Sequence, residues 1–236
     1  AVRGSDARSR NPIVTAAGAP IDVLVDAGVP LEGFLTVPGE ATGIVVFAHG
    51  SGSSRFSERN QYVAEHLNQA GLATLLFDLL TREEHLIDER TRKLRFDIDL
   101  LSERMIRTID WVTTEPSSAP LRIGLFGAST GAAAALRAAA DRPTRVGAVV
   151  SRGGRPDLAG SDLMAVRAPT LLIVGGRDTT VIELNRQAAR SIDRHRLEIV
   201  PGATHLFSEP GKLETVSELA RDFFLEHLTV APKQPA

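Results

Sequence analysis

Short apolar runs and longer amphipathic stretches alternate along this chain. Gly43–Ala48 (GIVVFA), which is β-branched, and Ala73–Phe77 (ATLLF), Leu121–Phe126 (LRIGLF), Val146–Val150 and Thr170–Val174 (TLLIV) are short and mainly apolar. Such runs predict strands buried on both faces. Ile21–Asp26 and Leu31–Val37 predict an opening pair of strands, and Leu197–Val200 a last one. Helical spacing fills the gaps. Ile98, Leu101, Met105, Ile109 and Val112 form one apolar stripe within a helix expected over Phe96–Val112. Helices are also expected over Asn60–Gln69, with Gly71 ending the helix, and over Thr130–Arg142 and Leu213–Leu228. Thr180 and Glu183 have capping-box spacing, which predicts a further helix starting near Val181.

Repeated strand–helix alternation implies an α/β fold with a mostly parallel central sheet and helices on both faces. Functional groups in such sheets gather at the carboxyl ends of the strands. The 236 residues suit one domain over 13–229, with a flexible N-terminal arm (1–12) and a C-terminal tail (230–236).

Composition narrows the function. Charged residues make up 24% of the chain and nearly balance, with 27 basic against 29 acidic, so no electrostatic reason points to nucleic acid as partner. No apolar run is long enough to span a bilayer, and the polar start lacks the apolar core of a signal peptide. Cysteine is absent, which removes disulfides, thiol nucleophiles and Cys-ligated metal sites and fits a cytoplasmic protein.

The chemistry sits in four loops. Gly127-Ala128-Ser129-Thr130-Gly131 is the one G-x-S-x-G of the chain, between a predicted buried strand and an Ala-rich helix. That strand–turn–helix context is what a nucleophile elbow requires. A serine hydroxyl needs a base. Of six histidines, His205 in Pro-Gly-Ala-Thr-His follows the last strand on a loop; His66 and His227 lie within helices, and His85 and His195 in less suggestive settings. The acid belongs between serine and histidine. Asp178, in Gly-Gly-Arg-Asp beyond TLLIV, is preferred, with Asp157 after the Val146–Val150 strand as its rival. Asp178 would hold the imidazole in the right tautomer and stabilise the imidazolium. His49-Gly50-Ser51-Gly52-Ser53-Ser54 follows GIVVFA and suits an oxyanion loop, with the Ser51 N–H as one donor, Gly52 beside it and the Thr130 N–H as the second. His49 is expected to brace that loop. Arg152 and Arg155 follow a strand end and could meet an anionic substrate group. The loop lacks the Lys-Ser/Thr ending of a phosphate-binding P-loop.

HGSGSS at 49–54, GASTG at 127–131, VGGRD at 174–178 and PGATH at 201–205 together resemble the α/β-hydrolase superfamily. Within it, the small dienelactone-hydrolase-like branch is the nearest likeness, over about Ile21 to Leu228. That branch's namesakes carry cysteine at the elbow where this chain has Ser129. The resemblance implies a general esterase-type activity. The expected function is a serine hydrolase cleaving a small-molecule ester through an acyl-enzyme, with no cofactor or metal needed, as a monomer or homodimer; the same triad would equally serve lactones, thioesters, amides or acyl transfer, and a non-catalytic binding scaffold is the alternative of another class. Only Arg152 to Ala168 separates two strands where many relatives insert a lid, so no large lid domain is expected. The charged segment 79–94 reads as a solvated surface helix or loop, or as a short flap.

Overall fold

A computed structural model describes residues 18–26 and 29–229; the arm and tail expected at 1–12 and 230–236 lie outside the described residues. Eight strands form one sheet: β1 (Ala19–Asp26), β2 (Val29–Thr36), β3 (Gly43–Ala48), β4 (Ala73–Phe77), β5 (Arg122–Ala128), β6 (Val146–Arg152), β7 (Thr170–Gly175) and β8 (His195–Val200). Their order across the sheet is β1-β2-β4-β3-β5-β6-β7-β8. The β1–β2 and β2–β4 pairs are antiparallel, and all others are parallel. The opening hairpin therefore caps one edge of a parallel sheet, and β8 forms the other.

Six helices cover the sheet: α1 (Glu58–Gln69), α2 (Arg82–Thr91), α3 (Ile98–Val112), α4 (Thr130–Asp141), α5 (Thr179–Ala189) and α6 (Lys212–Leu228). Strand alternation sends successive side chains to opposite faces. Ile44 and Val46 of β3 pack in one core with Met105, Ile109 and Val112 of α3 and Leu136 of α4. Val45 and Phe47 pack in the other with Val63 and Leu67 of α1 and Phe224 of α6. The predicted α3 stripe is thus one wall of a core. Each such fully buried aliphatic side chain contributes roughly 1.5–3 kcal/mol.

Two helix starts differ from the sequence expectation. α3 begins at Ile98, with a short 3-10 turn over Leu94–Phe96 ahead of it, because the Asp97 side chain accepts from the Leu100 N–H and sets the cap. α5 begins at Thr179, not near Val181, because Asp178 is its cap; the carboxylate outcompetes the Thr180–Glu183 spacing. Between β6 and β7 lies only the 3-10 stretch Pro156–Ala165, and no lid domain occurs among the described residues.

Candidate active site

β5 ends at Ala128 and α4 begins at Thr130, so Ser129 alone makes the turn between them. Its backbone is held at φ 51°, ψ −121°. A non-glycine residue there costs about 1–3 kcal/mol and persists only where its surroundings enforce it. The enforcement is visible. The Ser129 N–H donates to the Arg152 carbonyl (3.2 Å), and the Ser129 carbonyl accepts from Ala132 (3.1 Å) and Arg155 (3.0 Å) N–H groups. A Cβ at Gly127 would stand 2.4 Å from Ala132 Cα, and one at Gly131 2.3 Å from the Ala48 carbonyl oxygen. Both glycines are steric requirements of the elbow.

The other rim residues come from β7 and β8. His205 Nδ1 donates to Asp178 Oδ2 at 2.7 Å. With Nδ1 carrying the proton, Nε2 is left as an acceptor. Asp178 Oδ1 meanwhile accepts from the Val181 N–H (3.4 Å), so its two oxygens divide helix capping from imidazole orientation. The two loops are tied together by Arg177 N–H to the Ala203 carbonyl (2.9 Å) and Gly176 N–H to the Val200 carbonyl (2.8 Å). A Cβ at Gly175 would lie 2.5 Å from the Thr204 carbonyl oxygen, so the histidine loop sits directly on β7's end. Both Glu209 oxygens accept from the Thr204 N–H, at 3.0 and 3.1 Å. That bonding from Thr204 holds the Glu209 carboxyl below its ordinary range.

Ser129 shares this rim. Its N–H is bonded to Arg152, and an added Cβ on neighbouring Gly153 would be 3.5 Å from the His205 imidazole. Ser129 Oγ itself has no hydrogen-bond partner among the described residues. Asp157 stands apart. Arg155 Nε and Nη2 donate to its two oxygens at 2.8 and 2.7 Å, a bidentate pair that occupies Arg155 as well.

Loop 49–54 packs over Ser129: a Cβ at Gly50 would lie 3.2 Å from Ser129 Cβ. His49 braces the loop as the sequence suggested. Its Nδ1–H donates to the Gly50 carbonyl (3.0 Å), and its Nε2 accepts from the Leu79 N–H (3.1 Å). Burial pushes its pKa down, in keeping with the neutral ring these bonds require. The N–H groups of Ser51, Gly52 and Thr130 have no hydrogen-bond partner among the described residues.

Beside these groups lies a cavity of about 840 Å³, lined among others by Ser51, Gly52, Thr130, Thr81, Arg95 and Arg104. α2, within the charged 79–94 segment, forms one wall. Thr81 and Glu84 make a capping box at its start, and a nearly sequestered Asp88 holds Arg95 through Nε at 2.6 Å. An added Cβ at Gly52 would stand 2.9 Å from Arg95 Nη1, so this arginine leans over the loop. Sequence reasoning missed Arg95, since a run of mixed charge normally marks a solvated face. Arg152 is only 7% exposed and has no ion pair among the described residues. No group of three or more His, Cys, Asp or Glu able to hold a metal ion occurs among the described residues.

A family model described as an alpha/beta hydrolase domain matches residues 41–222. The chain belongs to the α/β-hydrolase family. A dienelactone hydrolase structure from Anabaena variabilis shares 58% identity with this α/β-hydrolase over 89% of the chain and 97% of its own, at a TM-score of 0.87. That likeness places it among the dienelactone-hydrolase-like members. Est1E from Butyrivibrio proteoclasticus shares the fold at 18% identity, over 89% of this chain and 98% of its own, with a TM-score of 0.72. Two Mycobacterium tuberculosis proteins that carry the provisional name of a phosphoribosyl transferase are 62% identical over 209 residues, 88% of this chain. The chain spans about half the length (46%) of these curated relatives.

Proposed function

We infer that this α/β-hydrolase is a serine esterase that cleaves small carboxylic esters through an acyl-enzyme. The observation that carries the reading is the 2.7 Å His205–Asp178 bond on the rim that also holds strained Ser129. His205 Nε2 takes the Ser129 Oγ proton as Oγ attacks the ester carbonyl. Asp178 stays ionised and stabilises the imidazolium. The N–H groups of Ser51 and Thr130 hold the tetrahedral oxyanion; one such donor is worth about 10²–10³-fold in rate. The imidazolium returns its proton to the departing alcohol, leaving the acyl-enzyme. Water then attacks, its proton passing to His205 and on to Ser129 as the acid leaves. The open Ser129–His205 contact suits a resting enzyme, because such hydrogen bonds often tighten only with substrate in place. No step calls on a metal or cofactor.

Lactones are the second reading, favoured by the dienelactone hydrolase name of the 58% identical structure. The same triad would open the ring by the same steps. A non-catalytic binding scaffold is disfavoured, since the His205–Asp178 pair and the strained elbow serve no purpose in it. The transferase name belongs to longer proteins and does not describe this rim.

The test is hydrolysis of p-nitrophenyl acetate and butyrate by the wild type and Ser129→Ala. Turnover in the wild type should fall on the order of a thousandfold or more in the variant. Equal rates would move the chemistry away from Ser129.

A further inference from the structure

Other deeply placed arginines of the described chain meet carboxylates. Arg55 meets Glu32 and Asp78, Arg95 meets Asp88, Arg104 meets Glu84, and Arg142 meets Asp110. Arg152 is more deeply buried than Arg55 or Arg95 and meets none among the described residues. Its Nε and Nη1 are out of contact with solvent and have no hydrogen-bond partner among the described residues. A buried charge left this way is costly, and native structures pair it.

Strand alternation shows where the guanidinium goes. Ala148 and Val150 of β6 pack in the core beneath α1 and α6, whereas Val149 packs in the opposite one. Arg152, next in the even series, therefore projects toward α1. At the first turn of α1 stand two more unsatisfied groups, Arg59 Nε and Asn60 Oδ1. Asn60 is 2% exposed. Arg59 also has no carboxylate partner among the described residues, and it is close enough to repel Arg152. Desolvation first and that repulsion second lower the Arg152 pKa to about 10, so the group stays cationic at neutral pH. Two cations without a carboxylate partner among the described residues thus stand at the positive end of a 12-residue helix, whose first turn carries one exposed acid, Glu58, and has its Asn60 N–H capped by Ser57.

We propose that Arg152, Arg59 and the N-terminal turn of α1 bind a small oxyanion next to the nucleophile. The carbonyl of Arg152 is the group that accepts the Ser129 N–H, so the site adjoins the elbow through one residue. The oxyanion is either free in solution or the anionic end of a substrate. The substrate-borne case rests on the hydrolase reading; the free-ion case does not.

Inorganic phosphate is the probe, titrated against thermal unfolding of the full chain for the wild type, Arg152→Gln and Arg59→Gln. The wild type should show a saturable rise in Tm of about 3–6 °C at tenfold excess over Kd. The rise should vanish in Arg152→Gln and shrink in Arg59→Gln, with potassium chloride at matched ionic strength giving no such rise. Arg59 is the less buried of the two, so its variant keeps the test alive should Arg152→Gln misfold. Because this readout uses no ester, it succeeds or fails independently of esterase activity. A second arm separates the two sources: the ratio of kcat/KM for mono-p-nitrophenyl glutarate to that for p-nitrophenyl butyrate. Phosphate competing with the charged ester alone assigns the site to the substrate, and an unchanged ratio assigns it to a free ion. No saturable phosphate effect, or the same effect in all three proteins, overturns the proposal and leaves water as the occupant.

Discussion

The loops after β6 and β7 each carry an aspartate a few residues beyond the strand, and the two end differently. Asp157 faces Arg155, two residues earlier on its own loop, and both its oxygens are taken. Asp178 faces a histidine 27 residues away on another loop, and its second oxygen caps the helix that follows. One is a local ion pair, partly exposed and worth little to stability. The other joins two segments and orients the His205 imidazole. What separates them is the partner each meets and the span of chain it closes, while residue type and distance from the strand end are nearly alike.

The sharpest way to break this contrast is to neutralise each aspartate. Asp178→Asn should lower kcat on the order of 10³–10⁴-fold, since the amide cannot hold the same imidazole tautomer. Asparagine still caps helices well, so α5 should persist and Tm should move little. Asp157→Asn should change kcat by less than about threefold. Reversed outcomes would make Asp157 the acid of the triad.

A second test leaves both carboxylates intact and moves the histidine loop. Gly175→Ala drives a methyl to 2.5 Å from the Thr204 carbonyl oxygen. Displacing a catalytic group by about 1 Å can cost on the order of 100-fold, and kcat should fall by that much with KM nearly unchanged. The matching change on the Asp157 loop is Gly160→Ala, where nothing lies within 4 Å of an added Cβ. It should leave kcat within a few-fold, although the positive φ there costs some stability.

The smallest effect concerns Glu209. Its folded-state pKa is lowered, so the unfolded chain binds the proton more readily and the support is present above the ordinary carboxylate range. It is lost as pH falls through the lowered folded-state value. Glu209→Gln should reduce kcat at neutral pH by about three- to tenfold. It should also remove part of the acid-side loss in a pH–stability profile measured by thermal melts. A variant profile identical to the wild type would show that Thr204 is held by other means.

The elbow and the histidine loop were readable in the sequence because their signals are local. A G-x-S-x-G between the short apolar run LRIGLF and an alanine-rich one leaves the serine little freedom, and PGATH follows the last apolar strand. The strands were readable to within a few residues for the same reason. The start of α5 was not, because two capping signals overlap at 178–183, and Asp178 prevails by accepting from the Val181 N–H while His205 holds its other oxygen. The wall made by α2 was hidden by its charge: REEHLIDERT looks solvated until Asp88 is seen sequestered beneath Arg95. The unpaired state of Arg152 was also out of reach. Sequence shows a cation at a strand end, but whether an acid lies opposite depends on α1, nearly a hundred residues earlier.

Among the described residues the sheet ends at β1 on one side and β8 on the other, and each edge is guarded. At β8 the strand reads HRLEIV, with His195 and Arg196 exposed and an Arg196–Glu198 pair on its outer surface. At β1 an exposed Asp22 and Pro20 interrupt the apolar positions. A bare β edge is a template onto which another chain can add a strand, and charge or proline there makes such addition unfavourable. Both edges of the sheet that presents the Ser129 and His205 rim thereby disfavour the addition of a further strand.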